Sequence, residues 1–236
     1  MFTINENGDQ VYFSKGNLQY QASTNTWQFA ENQWDYTGEE NAYINQSYSG
    51  WIDLFGWGTG NNPTFSSNHT SDYPTFNDWG NNAIANGGNI ESFWRTLIID
   101  ELDYVLNYRS TTSGIRYAKA QLNGINGVII LPDDWSSSTY NLSSINTAEA
   151  SFSSNIISDS QWGGIEQHGA VFLPAAGYRQ DGNMVYLIGS CCYYWSASTD
   201  SYNGANGIMC FDENLYINNS YPRDYGHSVR LVRDAE

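Results

Sequence analysis

Short runs of alternating apolar and polar residues open the chain, and this period of two is typical of half-buried β-strands. Residues 11–14 and 18–20 form two such runs, and Lys15-Gly16-Asn17 between them has the composition of a turn. The pattern therefore predicts a β-hairpin over residues 11–20. Residues 27–29 predict a third short strand, which follows a polar turn.

Two further pairs of apolar runs predict strands in the second half of the chain. Residues 114–120 and 127–132 flank a short polar stretch and are expected to pair with each other. Residues 171–174 and 177–179 are expected to lead the chain back into a sheet. No repeat unit and no linker rich in proline, glycine or serine divides the sequence, so we expect a single domain over residues 1–236.

Two segments have the spacing of helices. In residues 98–108 the apolar side chains recur with a helical period, and acidic residues crowd the first turn, where the helix dipole favours them. Glu101 stands where a capping box requires it, but the Ile98 side chain cannot cap, which leaves the start of this helix open. A second, weaker pattern covers residues 158–168, with Gly169 as its C-terminal stop.

Aromatic residues are scattered through a long irregular segment, residues 38–88, whose other positions are mostly glycine, asparagine and serine. A polar composition favours disorder, but disordered segments are poor in aromatic residues. We therefore expect an ordered insertion that its tryptophan and phenylalanine side chains anchor to the core. Residues 133–154 are expected to form a second, polar loop.

The C-terminal stretch, residues 189–233, combines two strand-like ends with a polar middle. Tyr193-Tyr194-Trp195 opens it, and residues 227–232 close it with the alternation of a half-buried strand. Tyrosine, serine, glycine and asparagine dominate the middle, which is the composition of antibody-like binding loops. The same residue types favour turns, so an irregular solvated hairpin is an equally open interpretation.

Several sequence blocks carry a resemblance to a known family. In the C-terminal stretch they are YYWSAS, the spaced Phe211 and Leu215, the dipeptide Pro222-Arg223 and the ending GHSVRLVR. Upstream blocks of the same kind are VYFSKGNLQY, FAENQWDY, WIDLFGWGTG, SGIRYAKA, GVIILPDDW and FLPAAGYR. Together they resemble the variable proteins of diversity-generating retroelements, most closely those of Bacteroides-type gut bacteria and their phages.

This resemblance implies an α+β fold of the C-type lectin type, in its formylglycine-generating-enzyme-like branch, with twisted antiparallel sheets, two helices and long ordered loops. It also implies that a reverse transcriptase rewrites adenines, so that asparagine codons become a restricted set of residues. Asn, Tyr, Ser, Asp, Gly, His, Ile and Cys fit that set, and all occur within residues 189–233. This region would then be a hypervariable ligand-binding surface, displayed outside the cell on a phage virion or a bacterial envelope.

The resemblance also separates framework positions from ligand contacts. The framework, expected to pack in the core, comprises Trp195, Phe211, Leu215, Gly226, Val229 and Leu231. The expected ligand contacts are Thr199, Asp200, Ser201, Tyr202, Asn203, Asn206, Ile208, Asp212, Asn214, Tyr216, Asn218, Asn219, Tyr221, Asp224, Tyr225 and His227. The four tyrosines among them are the expected anchors, since tyrosine is enriched in binding hot spots. The expected partner is a protein or glycan receptor on a target cell or surface.

Composition narrows the choice of partner. The 25 acidic and nine basic residues give a net charge of −16, and such a surface repels phosphate backbones and anionic lipids, so neither nucleic acid nor a membrane is expected as partner. The mean hydropathy of −0.51 and the lack of a long apolar run argue against a membrane-spanning segment. Residues 1–4 lead directly into polar sequence, so no secretory signal is visible.

Three cysteines, Cys191, Cys192 and Cys210, all lie in the C-terminal stretch. Adjacent residues are too close for an unstrained disulfide, which argues against a bond between Cys191 and Cys192. Cys192 and Cys210 could bridge neighbouring strands, but the odd number of cysteines favours free thiols. The enzymes of the resembling branch use a cysteine pair, so an oxidase that uses Cys192 and Cys210 is a third hypothesis, besides the diversified binder and a fixed glycan- or protein-binding surface module.

The sequence offers no motif for a metal, a cofactor or acid–base catalysis. His69, His168 and His227 have no metal-ligand spacing with each other or with the cysteines. The calcium signatures of sugar-binding C-type lectins, Glu-Pro-Asn or Gln-Pro-Asp followed by Trp-Asn-Asp, are absent from the sequence. Acidic pairs at residues 39–40 and 133–134 suit a hard cation, but surface pairs are more often solvated. We therefore expect no catalytic residues, no metal and no cofactor.

Overall fold

Antiparallel pairing dominates the computed structural model, which describes residues 1–180 and 184–235. Within this part of the chain the fold is α+β, with five small sheets and two α-helices. The strands are β1 (Phe2–Thr3), β2 (Gln10–Phe13), β3 (Leu18–Gln21), β4 (Thr26–Phe29), β5 (Trp51–Ile52), β6 (Tyr117–Leu122), β7 (Ile125–Ile130), β8 (Ile156–Ile157), β9 (Val171–Pro174), β10 (Tyr178–Gln180), β11 (Met184–Tyr186), β12 (Cys191–Thr199), β13 (Ala205–Phe211), β14 (Asn214–Tyr221) and β15 (Val232–Asp234).

The helical elements are few and short. They are α1 (Ile99–Asp103), a π-helical turn that continues it (Tyr104–Tyr108), α2 (Asp159–Gln167), and 3₁₀ turns at Gly38–Tyr43, Thr70–Asp72, Trp79–Asn81 and Phe152–Ser154. Among the described residues, no helix has the length and apolar character needed to cross a bilayer.

Both predicted helices are confirmed. α1 begins one residue after the predicted boundary, and the Glu101 carboxylate accepts a hydrogen bond from Ile98 N at 2.9 Å in place of a side-chain cap. α2 has a complete capping box, because Ser158 Oγ accepts from Gln161 N (3.3 Å) and Gln161 Oε1 accepts from Ser158 N (2.9 Å). Gly169, with φ of +86°, follows the end of α2, where the sequence predicted the helix to stop.

The N-terminal strands are confirmed, but the predicted hairpin between the first two is wrong. β2 pairs with β1 and β15, whereas β3 pairs with β4 and β5. The chain between β2 and β3 does not fold back on itself, because Ser14 N donates to Leu231 O (2.8 Å) and Leu18 N donates to Val229 O (2.9 Å). The C-terminal segment therefore separates the two strands, and β3 forms its hairpin with β4.

The largest sheet has the order β8-β6-β7-β9. β6 and β7 form the predicted pair, joined by a two-residue turn at Asn123-Gly124, where both residues have positive φ. Val128 and Ile130 point into a core that the sheet shares with α1. Ile129 and Phe172 point into a second core, shared with α2. Burial on both faces makes this sheet the centre of the fold.

Aromatic anchoring of the segment 38–88 is confirmed. Phe55 and Trp57 are buried in one aromatic core together with Trp195 of β12. The indole of Trp57 donates to Ser196 O (3.0 Å), and the indole of Trp195 donates to Phe55 O (2.7 Å). These reciprocal hydrogen bonds join the insertion to the C-terminal stretch.

The C-terminal stretch forms an antiparallel meander of β12, β13 and β14. Its predicted opening strand is confirmed as part of β12, but the closing strand differs from the prediction. β15 begins only at Val232, and residues 226–228 make isolated bridges to three separate segments. Residues 227–232 are buried on both sides, so Ser228 and Arg230 are as inaccessible as their apolar neighbours.

Candidate ligand-binding surface

Side chains of β14 alternate between solvent and the core. Tyr216, Asn218 and Ser220 are exposed, whereas Leu215 and Ile217 are partly buried against the core that contains α1. The strand therefore anchors one edge of the meander and presents tyrosine, asparagine and serine outward.

A β-bulge interrupts this strand in its middle. Gly207 of β13 pairs with Asn219, but Met209 pairs with Tyr216, so β14 has one extra residue between these pairs. Asn218 lies in the bulge with φ of +65°, a backbone conformation that asparagine tolerates better than most residues. The Asn206 amide donates to Asn218 Oδ1 at 2.6 Å and so stabilises the bulge from β13.

Twelve of the sixteen predicted contacts are at least partly accessible. The exposed ones are Thr199, Ser201, Tyr202, Asn203, Asp212, Tyr216 and Asn218. The partly buried ones are Asp200, Asn214, Asn219, Tyr221 and Tyr225. Tyr202, in the loop between β12 and β13, is 89% exposed.

The other four, Asn206, Ile208, Asp224 and His227, are buried, which corrects the expectation that they contact a ligand directly. Ile208 belongs to the core because β13 is the central strand of the meander. Asn206 supports the bulge, and Asp224 accepts a hydrogen bond from Thr70 Oγ1 of the insertion. The polar side chains of Asn206 and Asp224 are thus used within the protein.

Asp200 organises the loop between β12 and β13. Its Oδ1 accepts from the backbone N–H groups of Tyr202 (2.8 Å) and Gly204 (2.6 Å), and its Oδ2 accepts from Ser220 Oγ across the meander. These hydrogen bonds, the one from Ser220 first, lower the pKa of the Asp200 carboxyl. The carboxylate therefore shapes the loop, and its acceptor sites are largely occupied.

A groove of about 460 Å³ lies between this loop and the insertion. It is lined by Thr70, Ser71, Asp200, Tyr202, Asn203, Gly204, Ser220, Tyr221 and Pro222. Four of these residues were predicted as contacts, whereas Thr70 and Ser71 come from a 3₁₀ turn that the sequence did not associate with the site. The groove offers aromatic rings, hydroxyls and an amide to a ligand, while the acceptor sites of its one carboxylate, Asp200, are largely occupied within the protein.

Arg223 links the loop between β12 and β13 to the insertion, residues 38–88. Its Nε donates to Gly204 O (3.2 Å), its Nη1 donates to Tyr73 O (3.2 Å), and its guanidinium lies 4.7 Å from the centre of the Trp57 ring. A cation over an indole face is attracted by the ring quadrupole. Arg223 is therefore a positioning residue of the surface, whereas in the sequence the dipeptide Pro222-Arg223 was only one of the blocks that carry the resemblance.

His227 occupies the centre of an aromatic cage beneath the surface. Its imidazole stacks on the indole of Trp195 with 3.9 Å between ring centres, and the ring of Tyr221 lies 4.8 Å away. The His227 side chain is fully buried, and neither ring nitrogen has a hydrogen-bond partner among the described residues. We define the aromatic cage as the rings of Tyr178, Tyr193, Trp195, Tyr221 and Tyr225.

Burial keeps the imidazole neutral. Loss of hydration lowers the pKa of His227 well below its ordinary value, and the nearby Arg179 guanidinium lowers it further. The sequence could not predict this cage, because its rings come from β10, β12, β14 and the segment after β14. The only signal in the sequence was the excess of tyrosine.

The three cysteines are free and buried, as predicted for free thiols. Cys192 and Cys210 are direct partners in the register of β12 and β13. Burial raises the pKa of the Cys191 thiol to about 12. The pKa of Cys192 lies well above its ordinary value, mainly because the thiol is buried and also because Cys210 is next to it. Reactive cysteines need the opposite environment, which stabilises the thiolate.

Metal-ligand clusters are also absent from residues 1–180 and 184–235, where no three His, Cys, Asp or Glu side chains are placed to hold an ion. The acidic pair at residues 133–134 has another use. Asp133 Oδ1 accepts from Arg109 Nη1 at 2.6 Å, and its Oδ2 accepts from Thr3 N at 2.9 Å. Asp133 therefore fixes the N-terminal strand to the central sheet.

Comparison with known proteins found no matching protein-family model, no similar curated protein and no similar solved structure.

Proposed function

We propose that this protein is a non-enzymatic binding protein of the C-type lectin type, which presents a surface diversified by a retroelement. The observation that carries the proposal is the separation of two residue classes within the C-terminal stretch, residues 189–233. The framework positions Trp195, Val229 and Leu231 are buried, while the tyrosine, asparagine and serine positions of the loop and of β14 reach solvent. Exposed loop and strand positions on a fixed scaffold are those where exchange costs the fold least.

The chemistry of the surface supports a macromolecular ligand. Tyr202 and Tyr216 are 89% and 43% exposed, and tyrosine supplies contact area with few rotatable bonds. Asparagine and serine around them supply adaptable hydrogen bonds. A protein or glycan receptor on a target cell suits these groups, and display in several copies on a virion or envelope would strengthen a modest affinity through avidity.

Exchange of the exposed residues tests the proposal. A set of variants that replaces Ser201, Tyr202 and Tyr216 together, in several combinations, is expected to unfold at nearly the same temperature as the parent. Surface substitutions away from special features usually change stability by about 0.5 kcal/mol or less. The same variants are expected to differ from the parent in the receptor that they capture.

Two controls accompany this experiment. Tyr108, exposed to 67% on the π-helical turn outside the meander, provides a matched Tyr108→Ala variant that should leave receptor capture unchanged. Trp195→Ala should instead cost about 3–5 kcal/mol, because a buried indole leaves a cavity. Uniform unfolding of the exposed-residue variants would overturn the proposal, since the surface would then carry the fold.

Sequencing the encoding locus from many sister cells or virions tests diversification itself. Substitutions confined to adenine positions across residues 189–233, with a template copy and a reverse-transcriptase gene nearby, are the expected result. An invariant locus without a template would favour the alternative of a fixed module.

One observation favours that alternative, a fixed glycan- or protein-binding surface domain. Asp200 accepts three hydrogen bonds that build the groove, and a position that shapes its own loop tolerates less exchange than its neighbours. A fixed module would bind one glycan class reproducibly on an array, and every exposed-residue variant that keeps Asp200 would retain that class. Asp200→Asn keeps an acceptor oxygen and should preserve the groove, whereas Asp200→Ala should abolish glycan binding without unfolding the protein.

A further inference from the structure

The aromatic cage encloses the side chain of a single residue. The imidazole of His227 stacks on the indole of Trp195 with 3.9 Å between ring centres. The Tyr221 ring meets it edge-on at 4.8 Å, and the Tyr193 ring lies tilted against it at 5.0 Å. Both imidazole nitrogens lack a hydrogen-bond partner in the described part of the chain, so the ring is held only by its shape and its aromatic contacts. A buried polar group without a partner is costly and calls for an explanation.

The backbone at this position is fixed independently of the side chain. His227 N donates to Phe55 O (3.0 Å), and Phe55 N donates to His227 O (2.9 Å). On either side, Gly226 exchanges paired hydrogen bonds with Arg179, and Ser228 N donates to Tyr193 O. A change of side chain at 227 therefore alters the content of the cage and leaves the backbone in place.

The cage lies one layer beneath the surface. Tyr178, Tyr221 and Tyr225 are partly exposed, and Tyr221 is also a wall of the groove beside the loop at residues 200–204. Removal of the imidazole would leave a hollow lined by aromatic faces, and the Tyr221 ring is the wall that this hollow shares with the groove. Small apolar cavities of this kind stay dry and accept planar ligands.

We propose that the aromatic cage is an inner extension of the ligand-binding groove, closed in this chain by its own His227 side chain, and that it admits a neutral aromatic group of a ligand when residue 227 is small. The proposal rests on the proposed function, because exchange of residue 227 is what would open the cage. Residue 227 is thus a determinant of specificity that acts from inside the surface.

Electrostatics decides the chemical class of the guest. An aromatic cage ordinarily attracts cations, but Arg179 is fully buried close to His227 and lowers its pKa further. An ammonium or imidazolium ion in the cage would lose its hydration and would be repelled by the Arg179 guanidinium, as a protonated His227 would be. The guest is therefore an uncharged ring, such as the side chain of Phe, Trp or neutral His on a protein partner.

The test uses the variant His227→Ala and free imidazole as the probe. At about pH 9, where imidazole is uncharged, the probe should raise the melting temperature of His227→Ala by about 5 °C at roughly a hundred times its dissociation constant. The parent and the filled variant His227→Phe should show no such rise. Tetramethylammonium should not stabilise His227→Ala at the same concentrations.

Each outcome decides the matter. No stabilisation of folded His227→Ala by imidazole, benzene or indole would overturn the proposal, and a preference for tetramethylammonium would overturn the assigned ligand class. If His227→Ala does not fold alone, recovery of folded protein on refolding with imidazole supports the cage, and no recovery at any concentration contradicts it. None of these results requires the natural receptor, so failure of the cage and failure of the proposed function are distinguishable.

Discussion

The ammonium group of Lys119 donates to Phe211 O at 2.8 Å and so links the central sheet to the candidate binding surface. Lys119 lies in β6 and is fully buried, whereas Phe211 ends β13. The same ammonium donates to Asn214 O (2.9 Å), at the start of β14, and to Ala148 O (2.6 Å). One side chain thus fixes the turn between β13 and β14 on the scaffold.

Replacement of this residue by methionine is the first prediction. Lys119→Met keeps the apolar stem but removes the three donors, so three carbonyl groups lose their partner and the free energy of unfolding should fall by about 3 kcal/mol. Urea denaturation measures the change. Lys15 is exposed and is the only other lysine in the chain, so Lys15→Met serves as the matched control and should stay within about 0.5 kcal/mol of the parent. Equal effects of the two substitutions would contradict the tethering role.

The sequence predicted elements better than it predicted their partners. Short runs of apolar and aromatic residues located β6, β7 and β12, because such runs reflect local burial. The hairpin predicted over residues 11–20 was wrong because the turn signal at residues 15–17 is local, whereas the hydrogen bonds from Ser14 and Leu18 run to Leu231 and Val229, more than two hundred positions later. Such pairings leave no trace in the spacing of neighbouring residues.

The predictions for the candidate surface were also right where they depended on local composition and wrong where they depended on distant partners. Exposure of Tyr202 and Tyr216 agrees with composition, since a polar, tyrosine-rich loop favours solvent. Burial of His227 and Asp224 could not be foreseen, because their neighbours come from distant segments: Trp195 stacks on the first and Thr70 donates to the second. From the sequence alone, both residues were predicted to be exposed ligand contacts because the stretch around them is polar; their partners lie elsewhere in the chain.

Acid sensitivity below neutral pH is the second prediction. The pKa of His227 in the folded protein lies well below its ordinary value, so on acidification the unfolded chain binds a proton first. Stability is then constant above about pH 7 and falls below about pH 6.5, by at most about tenfold in the folding equilibrium constant per pH unit, until the pH reaches the folded-state pKa. Urea midpoints measured between about pH 8 and pH 5 test this slope.

The variant His227→Phe should remove this slope, because it has no group that titrates in the cage. His69 is exposed, and His69→Phe is the matched control that should retain the slope of the parent. Burial opposes the ionisation of Asp133, but the hydrogen bonds from Thr3 and Arg109 outweigh this effect and lower its pKa. Asp133 therefore affects stability only in the acid range of carboxyl groups, below about pH 4. An unchanged slope in His227→Phe would show that another group causes the acid sensitivity.

Protection of the thiols is the third prediction. A thiol with a pKa of about 12, such as Cys191, has far less thiolate at about pH 8 than an unfolded cysteine, so labelling by a disulfide reagent should be on the order of a thousandfold slower in the native protein. Three thiols should react once urea unfolds the chain, and two in the variant Cys192→Ser. Rapid labelling of Cys192 or Cys210 in the native protein would support the oxidase hypothesis, which requires one of these two thiols to be accessible.

Arg230 is the residue whose environment differs most from the predicted half-exposed strand. Its guanidinium is buried and donates to Asn17 Oδ1 (3.1 Å), Ser14 O (3.2 Å), Lys15 O (3.1 Å) and Phe172 O (2.6 Å). No carboxylate of the described residues lies within salt-bridge distance of it. Desolvation accordingly lowers its pKa. Backbone carbonyls from β9 and from the connection between β2 and β3 converge on this one side chain.

Substitution of Arg230 is the fourth prediction. Arg230→Met should lower the free energy of unfolding by about 3–5 kcal/mol, because it removes this donor from the carbonyls of Ser14, Lys15 and Phe172, while Asn17 Oδ1 keeps only the hydrogen bond from Tyr194. Arg230→Lys keeps the charge but not the planar fork, so a single ammonium cannot reach both β9 and the segment between β2 and β3, and most of the loss should persist. Arg233, which stacks at 4.5 Å on the partly accessible ring of Tyr12, provides the control Arg233→Met, with an expected cost of about 1 kcal/mol. Recovery of full stability by lysine at 230 would show that charge alone, and not the four directed hydrogen bonds, holds the C-terminal segment between β2 and β3.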